Sequence, residues 1–237
     1  MENMKAQNLF KEFIKTGSKI KLLGDSITHG VGGTGFMQSG EDIVEGFKRN
    51  PDGYCWAAMF KRYIKERYGK DAINNACTGT NIEFVLRNFD TLVDKDDDLV
   101  ICTIGTNNRH QYKDTGDKRT ADDLATELYG NIVALNERFN SAGIPAILIA
   151  NIPASAENEK DGADYWRILH MNDINDTYKR AAGECGFAFI SLYDMMSTYL
   201  QQNGIEIDAL LCDGLHPSDK GYDVMFSLIL TALGEEK

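Results

Sequence analysis

Lys19-Ile-Lys-Leu-Leu-Gly-Asp-Ser-Ile-Thr-His29 carries a short apolar run that breaks at a glycine and delivers a serine two residues later. A run this short, bounded by a turn signal, reads as a buried strand, so 19–23 is a predicted strand and Ser26 lies just past its carboxyl end. Four further runs of the same kind lie at 72–75, 99–104, 146–150 and 187–190. Amphipathic stretches between and around them predict helices at 54–68, 82–89, 120–140, 165–182 and 221–233. The clearest is 120–140, where Leu124, Leu128, Ile132, Leu135 and Phe139 recur at three- and four-residue steps. Thr120 with Asp123 forms a capping-box pattern at its start, and Gly143 lies just past its end. Short strands alternating with helices build a doubly wound α/β sandwich, a parallel sheet covered on both faces.

The 237 residues show no linker, repeat or break in composition, and they read as one domain spanning 1–237 with an inserted loop at about 31–53. A 43% hydrophobic content suffices for a core, and no apolar run approaches the ~18 residues of a membrane span. The first twenty residues hold no secretory apolar region. Five cysteines, odd in number and without a Cys-x-x-Cys pair, fit free thiols in a reducing compartment, so the expected location is cytoplasmic. A net charge of -11 disfavours nucleic acid and anionic membrane surfaces as partners. The acidic run 94–98 lacks the glycine and spacing of a calcium loop and reads as a solvated turn before a strand.

Open parallel sheets bind ligands beyond the carboxyl ends of their strands, and the informative polar residues fall there. Ser26 follows the first strand, Gly79 in Asn75-Ala-Cys-Thr-Gly-Thr80 the second, and Asn107 in Gly105-Thr-Asn-Asn108 the third. Asp213 and His216, in Asp213-Gly-Leu-His-Pro217, precede the last helix. In their order and spacing these four stretches resemble the sequence blocks of the SGNH hydrolases, the GDSL-type esterases and lipases, over residues 24–217. The resemblance implies a three-layer α/β/α, flavodoxin-like doubly wound fold with a five-stranded parallel sheet.

The resemblance also implies roles that chemistry makes intelligible. A serine hydroxyl is a poor nucleophile until a base takes its proton, and histidine suits that task at neutral pH. Ser26 is then the expected nucleophile and His216 the base, with Asp213 orienting the ring and stabilising the transient imidazolium. The backbone N–H groups of Ser26 and Gly79 and the side-chain amide of Asn107 are the expected oxyanion donors. Glycine suits position 79 because a side chain could block the substrate. The family's third block commonly ends in an acid where this chain has Asn108, which alters the hydrogen bonding that holds that loop.

Around this set, Asp25, His29, Asn108 and Trp166 are the candidate substrate contacts: His29 for its nearness to Ser26, and Trp166 for following the loop after the fourth strand. An exposed loop position is the alternative for His29. Trp56 reads as core, and His110 and His170 as structural or surface residues with no metal spacing. Gly30-Val-Gly-Gly-Thr-Gly35 matches the dinucleotide fingerprint in letters alone, since Asp25 to His29 separate it from its strand and no helical stripe follows. Its glycines instead let the inserted loop fold over the pocket.

The expected activity is cofactor-independent and metal-free serine ester hydrolysis or deacylation through an acyl-enzyme on Ser26. Small acyl groups, acetyl above all and on carbohydrates, are the favoured substrates. Lysophospholipase- or thioesterase-type hydrolysis is the alternative; a non-catalytic ligand-binding module and a nucleotide-dependent oxidoreductase stand further off. The expected partner is a small-molecule ester, with association of like chains left open.

Overall fold

The computed structural model describes residues 3–235. Each predicted strand forms, as β1 (Lys19–Gly24), β2 (Asp71–Asn74), β3 (Leu99–Thr103), β4 (Ala146–Ala150) and β5 (Ala188–Ser191). They pair in parallel throughout, in the order β2-β1-β3-β4-β5. The order reverses at β1, and the adjoining ends of β1 and β3, where Gly24 faces Thr103, mark the switch point at which such sheets take their ligands.

The longer helices are α1 (Met4–Thr16), α2 (Trp56–Tyr68), α3 (Ala121–Ala142), α4 (Met171–Cys185), α5 (Leu192–Asn203) and α6 (Asp219–Leu233). Side-chain alternation along the strands divides the core in two. Ile20, Leu22, Leu99 and Ile101 pack with Phe10 of α1, Phe60 of α2, Met196 of α5 and Ile229 of α6. Leu23, Val100 and Cys102 pack on the opposite face with Ile132 of α3 and Ile174 of α4. Thr120 and Asp123 close the predicted capping box of α3, and Gly143 ends it in the left-handed conformation. Trp56 is wholly buried, as expected. Among the described residues no helix is long and apolar enough to cross a membrane.

Four expectations need correction. The predicted helix 165–182 begins only at Met171, where Asp173 Oδ2 accepts the His170 N–H at 2.7 Å. Residues Tyr165–Arg167 instead form a strand antiparallel to His110–Tyr112, a pairing with a distant segment that local periodicity does not register. Second, α1 and α5 lie where the sequence predicts no helix. Ala6, Phe10 and Phe13 give α1 a narrow buried stripe within a polar stretch, and α5 starts where Ser191 Oγ accepts the Asp194 N–H at 3.1 Å.

Third, the inserted segment 31–53 is not all loop, since it contains an antiparallel hairpin of Asp42–Val44 with Phe47–Lys48. Fourth, the acidic run 94–98 is a solvent-exposed turn except at Asp97, which is buried, and it also serves lysines of β1. Lys21 lies in β1 at 1% exposure, and a buried ammonium requires carboxylate partners. Its Nζ lies 2.8 Å from Asp94 and 3.7 Å from buried Asp97, while Lys19 Nζ lies 2.7 Å from Asp96. Asp94, Asp96 and Asp97 are close enough together to hold a cation, and these two ammonium groups fill that need.

Candidate active site

Ser26 opens a single helical turn, Ser26–His29, that starts as β1 ends. Asp25 caps the turn, its Oδ1 accepting the Ile27 N–H at 3.0 Å, and this holds the serine at the carboxyl edge of the sheet. From the other end of the chain, Asp213 Oδ1 accepts the N–H groups of Leu215 and His216 at 3.0 and 2.7 Å. The Asp-x-x-His spacing thereby folds the imidazole back over the carboxylate, leaving Asp213 Oδ2 2.7 Å from His216 Nδ1. The opposite ring nitrogen, Nε2, lies 2.8 Å from Ser26 Oγ. Groups 190 residues apart in sequence thus form one unbroken hydrogen-bonded chain. Burial by itself would raise the Asp213 carboxyl, but the backbone N–H of His216, the ring and the Leu215 N–H outweigh it and hold the group below the usual carboxylate range.

Packing secures this meeting. A Cβ on Gly32 would fall 2.5 Å from the Pro217 carbonyl and 3.1 Å from His216 Cβ, so only glycine lets the chain after Ser26 lie against the His216 turn. The Tyr222 hydroxyl in α6 donates to the carbonyls of Val31 and Ile27 at 2.7 and 3.0 Å. Thr34 N–H and Oγ1 each bond Asp219 at 2.7 Å. The glycine run 30–35 therefore serves close packing beside the triad turn.

The expected oxyanion donors lie on neighbouring loops. The Cys77 N–H bonds the Gly24 carbonyl at 3.0 Å, bringing the turn after β2 beside the end of β1. Gly79 has φ +74, and a Cβ there would meet no protein atom within 4 Å. Its glycine is required by backbone conformation, not by crowding within the protein. Asn107 stands on the 3-10 turn Thr106–Arg109 after β3. Its Nδ2 donates one N–H to the Thr80 carbonyl at 2.8 Å, which sets the amide's orientation and leaves the second N–H to donate elsewhere.

Three candidate substrate contacts are turned into the scaffold instead. Asn108 accepts the Ile82 N–H at 3.2 Å and donates to Glu83 Oε2 at 2.8 Å, so it joins the third block to the helix Ile82–Arg87. His29 is 1% exposed, neither at a mouth nor on a free loop, and both ring nitrogens have partners. Asp25 is wholly buried, with Asn151 Nδ2 3.2 Å from its Oδ2. Trp166 is 38% exposed on the short ladder opposite Gln111, with Lys113 Nζ 5.8 Å from its ring centroid.

Sequence reasoning also missed Arg109, an arginine at 0% exposure. Its Nε donates to the Thr106 carbonyl (3.1 Å), Nη1 to Glu159 (3.1 Å) and Nη2 to Asn158 (2.6 Å). The guanidinium thus clamps the Asn107 turn to the segment that reaches the triad loop through the Ser155 N–H to Gly214 carbonyl bond of 2.8 Å. An arginine in a polar loop is exposed by default, and nothing local marks this one as buried.

Burial pushes the Asp25 carboxyl up to about 6, with donors from Thr106 and Ile27 opposing it only in part. The folded protein therefore binds this proton more tightly than the unfolded chain, whose carboxyl titrates near ~3.9. The stability this contributes is complete below about pH 4 and is lost as pH rises through about 6. Asn at this position keeps an acceptor for the Ile27 N–H. Between about pH 4 and pH 7.5, Asp25→Asn should therefore gain about 2–3 kcal/mol of unfolding free energy relative to the parent. Urea unfolding of both proteins at the two pH values measures this, and a constant difference between them defeats it.

The GDSL-like lipase/acylhydrolase family model matches residues 22–224. No curated protein matches the chain in sequence. Among solved structures, the chain is similar to the acetylxylan esterase Axe2 from Geobacillus stearothermophilus, at 20% identity and a TM-score of 0.69, covering 94% of this chain and 97% of that one. It is also similar to LAE5, an α/β hydrolase enzyme from the metagenome of Lake Arreo, Spain, at 21% identity and a TM-score of 0.67, covering 92% and 96%. The likeness extends over the whole doubly wound sheet, and the family match takes in the serine, glycine, asparagine and histidine blocks together. The chain belongs to the GDSL-like lipase/acylhydrolase family and is an ester hydrolase.

Proposed function

We propose that the chain removes small acyl groups, acetyl above all, from carbohydrate esters, and that Ser26, His216 and Asp213 carry the reaction. The observation that carries the residue assignment is the hydrogen-bonded chain Asp213–His216–Ser26, with links of 2.7 and 2.8 Å. Ser26 Oγ attacks the ester carbonyl while His216 Nε2 takes its proton, and Asp213 Oδ2 accepts the Nδ1 proton of the ring as it becomes charged. The carbonyl oxygen, now an anion, is held by the backbone N–H groups of Ser26 and Gly79 and by Asn107 Nδ2. His216 returns the proton to the leaving alcohol, completing an acyl-enzyme. Water, deprotonated by the same ring, releases the acid and regenerates the serine.

The similarity to an acetylxylan esterase supports the acetyl and carbohydrate side of this reading. All five cysteines are unpaired, which supports a reducing, cytoplasmic setting. p-Nitrophenyl acetate should be hydrolysed at least about tenfold faster than the octanoate, and acetylated xylo-oligosaccharides should release acetate. A preference for octanoate, or for long acyl thioesters, overturns the small-acyl reading. Asn107→Ala should lower kcat by about 100- to 1,000-fold, the usual cost of one oxyanion donor. An unchanged kcat removes Asn107 from the oxyanion site.

A further inference from the structure

His29 lies three residues after Ser26, and its ring bridges two segments that are far apart in sequence. Nε2 is 2.9 Å from the Lys48 carbonyl in the inserted hairpin, and Nδ1 is 2.8 Å from Thr78 Oγ1. A carbonyl only accepts, so Nε2 carries the ring proton. Burial lowers the pKa of the group, and in the neutral ring Nδ1 is then a lone-pair acceptor for the Thr78 hydroxyl. Thr78 immediately precedes Gly79, the residue with φ +74. On the far side of Gly79, the Thr80 carbonyl accepts the Asn107 amide at 2.8 Å. One chain of bonds therefore runs from Lys48 through His29, Thr78 and the Gly79 turn to Asn107.

We infer that His29 is a positioning residue, setting the distance between the Ser26 and Gly79 N–H groups, and that the inserted segment 31–53 acts on catalysis through it. Three contacts tie that segment to His29: the Lys48 carbonyl at Nε2 and the Phe36 ring edge-on with centroids 5.4 Å apart hold the imidazole, and Asn50 Nδ2 bonds the backbone carbonyl at 2.8 Å. Without the hairpin the ring loses the acceptor that selects its tautomer. Without the tautomer, Thr78 loses the acceptor that holds the peptide before Gly79. A ring with both nitrogens taken and 1% exposure has no atom left for substrate, so the effect is felt in the spacing of the donors and not in binding.

This inference rests on the proposed serine esterase reading, and wild-type hydrolysis of p-nitrophenyl acetate tests that reading separately. Thr78→Val removes the hydroxyl at nearly constant volume, and His29→Gln keeps reach toward the Lys48 carbonyl while losing the Nδ1 acceptor. Each should lower kcat by about 10- to 100-fold, the scale of a small misplacement of reacting groups, with KM changed less than about twofold. The double variant should be little worse than either single one, because both break the same link. His29→Asn, which retains an acceptor near the Nδ1 position, should recover part of kcat. Raised KM at constant kcat, or additive losses in the double variant, overturns the inference. Nitrogen-15 NMR of the His29 ring, which needs no turnover, should show a neutral ring protonated at Nε2 at pH 8; a charged ring or the other tautomer overturns it as well.

Discussion

Ser26→Ala is expected to lower ester turnover by about a million-fold, the loss seen when the nucleophile of such a triad is removed. The reason is chemical. The Oγ lone pair forms the acyl bond, and a bound water replaces it only poorly within the same oxyanion site. What remains is the donors' own acceleration of attack by water, about 10³–10⁴ over the uncatalysed reaction. The fold should not notice the change. Ser26 Oγ bonds His216 Nε2 at 2.8 Å on a turn whose backbone is capped independently by Asp25, so unfolding free energy should move by less than ~1 kcal/mol. Initial rates with p-nitrophenyl acetate give the first number and a denaturation curve the second. Intact-mass spectrometry during turnover should find an acyl adduct on the parent and none on the variant. Substantial activity in a folded Ser26→Ala protein would remove the serine, and with it the acyl-enzyme.

The second large effect is on stability. Arg109→Met should cost about 3 kcal/mol, the lower end for breaking a buried ion pair from one side. The guanidinium is fully buried, and burial lowers its pKa only to about 10, so it is charged at neutral pH. Methionine fills much of the space but leaves the Thr106 carbonyl, Asn158 Oδ1 and Glu159 without three donors at once. For a chain of this length such a loss lowers Tm by about 6–12 °C. Arg109→Lys should be intermediate, because one ammonium cannot reproduce the planar fork that meets three acceptors. Activity should fall with stability, since the Asn107 turn loses its tie to the segment beside Gly214. The urea midpoint should fall at constant slope; a shift worth less than ~1 kcal/mol contradicts the clamp.

The candidate site was legible in the sequence to the extent that its parts are local motifs. Gly-Asp-Ser at the end of an apolar run, Asp-x-x-His before the last helix, and a glycine and an asparagine after successive strands each carry a short-range signature. What could not be read were the surroundings of Asp25, His29 and Asn108. All three look like polar residues beside a nucleophile, and so like substrate contacts. Each spends its polar atoms on a distant segment: Asp25 on Asn151, His29 on Lys48 and Thr78, Asn108 on Glu83. In the acidic run 94–98 the exposed turn was legible but its ion-pair partners were not, because those lysines lie in β1.

From the sequence alone followed the number and order of the buried strands, the start and stop of α3, and the residue types able to perform acyl transfer. These depend on periodicity and capping, which act over a few residues, and local chemistry suffices to specify them. The tertiary structure alone decided that Tyr165–Arg167 pairs with His110–Tyr112, that α1 and α5 cover the sheet, that Lys21 and Arg109 are buried with their charges, and that His29 faces inward. Each of these is a contact between segments dozens of residues apart. Its energy comes from excluding water around groups that, in the linear chain, have no reason to meet.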